Sequence, residues 1–242
     1  MKTLFKSTSW EALLLILGSL VLTQQAPAQP APAQQPTPEQ RVAALKACIA
    51  ASQGILKSFE WVETTVISSK GEEKSRQMDR CYFGADGKVQ KVPLTTPPPE
   101  KKKFGLRGLI AKKKQEEMTD YMKEAVGLVK MYMPPDQLRI QAAKDAGKVS
   151  VTPLPGQRAR LTFTDYVKPG DSMTLDVDLA NNRPLEAKVT TYLDSAKEPV
   201  TQDVKFSTLD NNAIYPASIT LEAKAKKLTV NVQNSGYRPV GR

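Results

Sequence analysis

Apolar residues recur at every second position through most of residues 157–233, in segments separated by turn-forming residues. Met173, Leu175, Val177 and Leu179 alternate with Thr174, Asp176 and Asp178. Leu185, Ala187, Val189, Thr191 and Leu193 take up the phase after Asn181-Asn182-Arg183. Val200, Gln202, Val204 and Phe206 follow the next break, then Ala217, Ile219, Leu221 and Ala223, and last Leu228, Val230 and Val232. A period of two places one face in a core and the other in water. That is the pattern of antiparallel strands, not of a parallel sheet buried on both sides.

The same reading applies upstream. Residues 59–67 predict a strand with Phe59 and Trp61 on one face and Val62 and Val66 on the other. Residues 74–83 and 88–94 predict two more, joined at Ala85-Asp86-Gly87, where aspartate and glycine accept the left-handed backbone of a tight turn. Residues 149–151 and 158–165 open the larger meander. Roughly three strands precede residue 95 and six or seven follow it.

The period turns helical twice. Residues 38–56 carry Val42, Leu45, Ile49 and Leu56 along one side with Cys48 beside them, Thr37 as the cap and Pro38 and Glu39 in the first turn. Residues 115–133 put Met118, Tyr121, Met122, Ala125, Leu128, Val129 and Tyr132 on one side, and Glu117, Asp120, Lys123, Glu124 and Lys130 on the other. Pro134-Pro135 stops that helix, and a short one is expected over residues 136–144. With this many one-sided strands, the expected fold is α+β: a strongly curved antiparallel sheet or incomplete β-barrel, wrapped around or covered by helices.

Composition adds a destination. The chain has 242 residues and a formal net charge of +10. Lys2 and Lys6 precede an apolar run over residues 12–23, and Ala-Pro-Ala at 26–28 offers small residues for cleavage. Residues 1–28 therefore read as a secretory signal peptide, and the mature chain is expected in the periplasm or secreted. Removing them takes away two lysines and one glutamate, so what remains stays basic. Residues 29–38, rich in Ala, Pro and Gln, read as a disordered tether. A single domain over 39–235 and a flexible tail over 236–242 complete the organisation.

A basic insertion over residues 95–114 interrupts that domain. It holds Lys101, Lys102, Lys103, Arg107, Lys112, Lys113 and Lys114 with no acid from 101 to 114, around the apolar stretch Phe104-Gly-Leu-Arg-Gly-Leu-Ile110. Such a segment suits peripheral contact with an anionic membrane surface, at about 1 kcal/mol per lysine near it. Its glycines match no phosphate-binding fingerprint. Export argues against nucleic acid as the partner, and the sequence sets no number of subunits.

Two cysteines, Cys48 and Cys81, are the only ones in the chain. In an exported protein one pair predicts a disulfide, closing a loop of about 33 residues and contributing about 4 kcal/mol. Two buried free thiols are the alternative. The chain has no histidine. This excludes Ser-His-Asp and Cys-His catalysis and most zinc or iron sites. Asp176 and Asp178 share a strand face through alternation alone, and no cofactor is implied.

The architecture resembles the periplasmic carriers of outer-membrane lipoproteins. The likeness rests on the helix leading into residues 59–67, on the break into helices between Lys112 and Lys144, and on the closing segments 170–178 and 204–217. The resemblance implies an incomplete barrel that shelters acyl chains. The expected function is therefore non-enzymatic: an exported binding or carrier protein for a lipid, lipoprotein acyl chain or other amphiphilic envelope component. Trp61, Met118, Tyr121 and Met122 are the candidate ligand-binding residues, because methionine and aromatic side chains suit a soft apolar lining. An envelope scaffold using its convex face and basic loop is the alternative, and a hydrolase with an unrecognised site is a further one.

Overall fold

Among the described residues, 14 of the 21 buried apolar residues lie in the strands of a single antiparallel sheet. In a computed structural model, residues 38–95 and 106–241 are described. Among them are ten strands and three α-helices. The first helix, α1 (Pro38–Leu56), leads into β1 (Phe59–Ser69), β2 (Glu72–Phe83) and β3 (Val89–Pro93). Then come α2 (Leu106–Val129) and α3 (Gln137–Asp145), and after them β4 (Val149–Leu154), β5 (Arg158–Thr164), β6 (Ser172–Asp178), β7 (Arg183–Tyr192), β8 (Pro199–Thr208), β9 (Ile214–Ala223) and β10 (Leu228–Pro239). The signal-peptide segment, the tether except Pro38, and the expected cap at Thr37 lie outside the described residues.

The strand order is β3-β2-β1-β10-β9-β8-β7-β6-β5-β4, so β10 returns from the chain's end to lie beside β1. The register aligns one row across eight strands: Ile67, Val230, Leu221, Gln202, Val189, Met173, Phe163 and Val149. Directly opposed residues point to the same side, so this row is a cross-section of the core face. The opposite face holds Arg160, Asp176, Glu186 and Lys205 in one row and Thr174, Lys188, Asp203 and Thr220 in another. Arg160 grips Asp176 through two bonds of 2.6 and 2.7 Å, and Lys188 lies 3.2 Å from Asp203. Asp178 accepts from Ala180 N, Asn181 N and Asn181 Nδ2 in the β6–β7 turn. Both aspartates on that wet face thus have structural partners.

The expected strongly curved sheet or incomplete barrel is corrected by this topology: the sheet is open and not strongly curled, with β3 and β4 as unjoined edges. Both edges resist further pairing. Five-residue β3 ends at Pro93 and carries Lys91, and six-residue β4 contains Pro153, whose missing N–H cannot extend a ladder. One-sided alternation tells which face is buried, not whether the edges meet.

Helix α1 lies against β1, β7 and β9, α2 against β9, and α3 against β5. Asp136 caps α3, its side chain accepting from Arg139 N at 2.9 Å. Two further boundaries shift. Lysine is a good helix former, so the helix expected to begin at residue 115 is already formed at Leu106. The final strand reaches Pro239, because Phe59 and Glu60 of β1 supply partners for Pro239 and Arg238.

The expected disulfide is also overturned. Cys48 and Cys81 are both free thiols. Cys81 is fully buried on β2, opposite Trp61 and Lys91 in register, whereas Cys48 rides on α1. Burial, chiefly, pushes the Cys81 thiol up to about 11, so it is almost entirely protonated at neutral pH and a poor nucleophile. Thiol titration is expected to give two reactive groups in denaturant without reductant, while Cys81 stays unreactive in the native protein. Fewer than two in the denatured chain would contradict the structure.

Candidate functional site

Helix α2 places a strip of mixed size on the sheet. Tyr121, Ala125 and Val129 recur every fourth residue and are buried against Val200 of β8, Leu221 and Ala223 of β9, and Leu228 of β10. Ala125 has no side chain beyond Cβ, so the helix backbone approaches closely there. Met118, Met122 and Val126 flank the strip, half-buried, together with Ile67, Leu193 and Val230. Methionine is unbranched and polarisable, and fills irregular space with little specification of shape.

Among the described residues two buried side-chain polar atoms stand out, one of them on Tyr121 in this layer. The Tyr121 hydroxyl and the Gln202 amide oxygen are buried without a hydrogen-bond partner. The Tyr121 side chain belongs to a residue only 8% exposed. Burial raises its hydroxyl pKa, and Glu198 and then Glu124 add to that. The Lys226 ammonium lies 5.8 Å from the centroid of the Tyr121 ring. Gln202 is the polar member of the eight-residue core row, with Leu221 and Val189 opposite it and Val200 and Val204 beside it on its own strand. Leu221 and Val200 belong to the same apolar cluster as Tyr121, and Val189 belongs to the second cluster. A buried polar group left unpaired costs about 1–3 kcal/mol, and native proteins tolerate few.

The far end of α2 is fixed differently. Just past the helix, Tyr132 donates from its hydroxyl to Asp171 Oδ2 at 2.5 Å and lies 2.8 Å from Thr191 Oγ1. Asp171 also accepts the backbone N–H groups of Tyr166, Val167 and Lys168 at 2.6, 3.0 and 2.7 Å. Burial and the Asp171 hydrogen bond raise the Tyr132 pKa far above its ordinary value. This anchor joins a second apolar cluster, in which Tyr132, Phe163, Tyr166, Met173 and Val189 pack with Ala143 of α3.

The structure thus brings three of the four candidate ligand residues, Met118, Tyr121 and Met122, onto one cluster. Trp61 joins a different group: its ring stacks on Tyr237 at 5.4 Å and tilts against Phe83 at 5.7 Å, and its Nε1 donates to Asn234. Of the basic residues, Lys113 and Lys114 are exposed on α2, Arg107 and Lys112 fall within the helix, and Lys101, Lys102 and Lys103 lie outside the described residues. Among the described residues no helix is long and apolar enough to cross a membrane, and no group of three or more Cys, Asp or Glu could hold a metal ion. Sequence reasoning did not single out Gln202 as a buried polar position. Its signal was an amide in an otherwise apolar phase, Val200-x-Gln202-x-Val204.

No family model matches the sequence, and no curated protein matches it. Among solved structures, the chain is similar to a LolA superfamily protein from Nitrosomonas europaea, at 11% identity and a TM-score of 0.38 over 82% of this chain and 94% of that one. It is also similar to a DUF1329 family protein from Desulfovibrio piger, at 13% identity and a TM-score of 0.38 over 83% and 94%. A putative outer membrane lipoprotein-sorting protein domain from Vibrio parahaemolyticus matches at 10% identity and a TM-score of 0.37 over 82% and 93%. These are weak, low-identity likenesses of fold.

Proposed function

We propose that this chain is an exported, non-enzymatic binding protein, and that the layer between α2 and the core face of the sheet receives an apolar or amphiphilic envelope component such as a lipid or lipoprotein acyl chain. The observation that supports this most is the unpartnered hydroxyl of Tyr121 inside an apolar layer edged by Met118 and Met122. Ligand sites are mostly apolar with a few placed polar groups, and that is the composition found here. A core kept only for stability would cost less with phenylalanine at position 121.

The test is a titration of the full chain with pyrene, followed by fluorescence, on the parent and on Met122→Trp. The parent is expected to bind the dye, and the variant to lose most of that binding at an almost unchanged urea midpoint, because the indole occupies space the ligand uses. A parent that binds no dye, with a variant destabilised by roughly 1–3 kcal/mol, indicates a filled core and removes this reading.

A further inference from the structure

We propose that two touching turns at one end of the sheet form a basic tip, Lys70, Lys224, Lys226 and Lys227, that docks on an anionic phospholipid surface. This tip is separate from the basic insertion over residues 95–114, and its docking does not depend on the binding role proposed above. The β1–β2 turn is Lys70-Gly71, and the β9–β10 turn is a short 3₁₀ turn, Lys224–Lys226, closed by Lys227. Because β10 lies beside β1, the two turns emerge at the same end of the sheet. A backbone bond ties them, Lys70 N donating to Lys227 O at 2.8 Å. All four lysines are exposed, and none forms an ion pair with a described acid. The acids nearest in sequence are occupied or turned away: Glu72 pairs with Lys74, Glu73 pairs with Arg76, and Glu222 stands on the wet face opposite Thr201 and Thr229. On the other flank the β7–β8 turn sets Asp194 and Glu198 against Lys197, so the excess of cations falls on the β1–β2 side.

Backbone conformation separates this tip from scattered surface lysines. Lys70 and Lys227 both hold positive φ, at 55° and 50°. That region crowds any Cβ and favours glycine or asparagine. Lys70 and Gly71 are the two positive-φ residues of a hairpin turn in which Asn-Gly or Asp-Gly is the usual pair, and Lys227 closes its turn where glycine or asparagine is usual. At other positive-φ positions in this chain stand Asp165, Asn182 and Asn212. Lysine held twice against the backbone's preference, in two turns that touch, is accounted for by its charge. The tip is also firmly seated. Ala223 and Leu228, at either end of the β9–β10 turn, are buried in the α2 cluster, and Lys226 Nζ lies 5.8 Å from the centroid of the Tyr121 ring. The tip therefore presents compact ammonium charges on a backbone that needs no ordering, and a bilayer rich in anionic headgroups attracts such charges. Protein interfaces have apolar cores and are poor in lysine, whereas this tip offers no large apolar side chain, which favours headgroups over a protein partner.

The experiment is co-sedimentation of the full chain with vesicles of phosphatidylcholine, alone or mixed with phosphatidylglycerol, at low and at high salt. The parent is expected to bind the anionic vesicles more tightly than the neutral ones and to lose that preference as salt rises. A tip variant carrying Lys70→Gly, Lys224→Gln, Lys226→Gln and Lys227→Gly is expected to bind anionic vesicles about 10- to 100-fold more weakly, since a lysine in full contact with such a surface contributes about fivefold. A control that removes equal charge elsewhere, with Lys57, Lys88, Lys130 and Lys144 each changed to glutamine, is expected to stay within about twofold of the parent. Glycine relieves the left-handed backbone at 70 and 227, so the tip variant should unfold at a urea midpoint no earlier than the parent's. Lys224→Gln with Lys226→Gln leaves both left-handed positions alone; it is expected to lose about 3- to 10-fold and carries the comparison should the glycines disturb the turns. Equal losses in the tip variant and the control, undiminished binding by both tip variants, or a parent with no preference for anionic vesicles overturns the proposal. The pyrene titration is read separately: a parent that docks without taking up dye loses only the binding role, and one that takes up dye without docking loses only the tip.

Discussion

Replacing Asp171 with alanine is expected to lower the unfolding free energy by about 3–5 kcal/mol, which a urea titration reads as an earlier midpoint. This carboxylate, in a residue 3% exposed, accepts three successive backbone N–H groups and the Tyr132 hydroxyl. Alanine leaves the three backbone donors without an acceptor where little water reaches, and the Tyr132 hydroxyl with Thr191 alone. Each orphaned donor costs about 1–3 kcal/mol, and relaxation of the loop keeps the total below their sum. The loss is also one of connection, because Asp171 ties the β5–β6 loop to the end of α2, and Tyr132 ties both to Thr191 of β7. Asp171→Asn keeps the shape but turns an amide N–H₂ toward other donors, so a smaller loss is expected. Tyr132→Phe removes one donor, leaves the backbone cage intact and is expected to cost least. A midpoint for Asp171→Ala within experimental error of the parent, or the reverse order among the three variants, would contradict this account of the anchor.

The residue pattern makes a good part of this architecture legible, and the limits are physical. The alternation from Met173 to Val177, from Ala187 to Thr191 and from Leu228 to Val232 falls inside β6, β7 and β10 with the expected faces inward. Turn chemistry is equally direct: Gly87, Gly170, Asn182 and Asn212 all adopt positive φ, where glycine and asparagine are tolerated. Sheet closure was not legible, because it depends on whether two edges meet. Here Pro93 and Pro153 sit in strands that have no outer neighbour. Cysteine count carries no distance, and so the pair at Cys48 and Cys81 gave a bond that the structure does not have. The site was half visible. The apolar side of α2 followed from its period, but Asp171 fell within the segment 170–178 with no anchoring role and Gln202 read as one more strand position, because neither shows its hydrogen-bond balance until its neighbours are placed.

Gln202→Leu is expected to stabilise the ligand-free protein by about 1–3 kcal/mol, against the usual direction of core substitutions. The parent buries an amide oxygen with no partner in a row whose other members, from Ile67 through Leu221 and Val189 to Val149, are apolar. Leucine removes that desolvation cost and adds contacts with Leu221, Val189 and the flanking Val200 and Val204. Its branching also suits a strand surface no worse than glutamine does. The gain should appear as a later urea midpoint at unchanged slope, since the area exposed on unfolding barely changes. Retaining an amide at a position where a hydrocarbon is more stable has a physical rationale if the amide oxygen is reserved for something that binds, and stability yielded to function is common at such sites. A Gln202→Leu variant less stable than the parent by 1 kcal/mol or more (roughly a fivefold shift in the folded-to-unfolded ratio) would mean that the amide already has its partner within the folded chain, and that no hydrogen-bonding capacity remains there for a ligand to use.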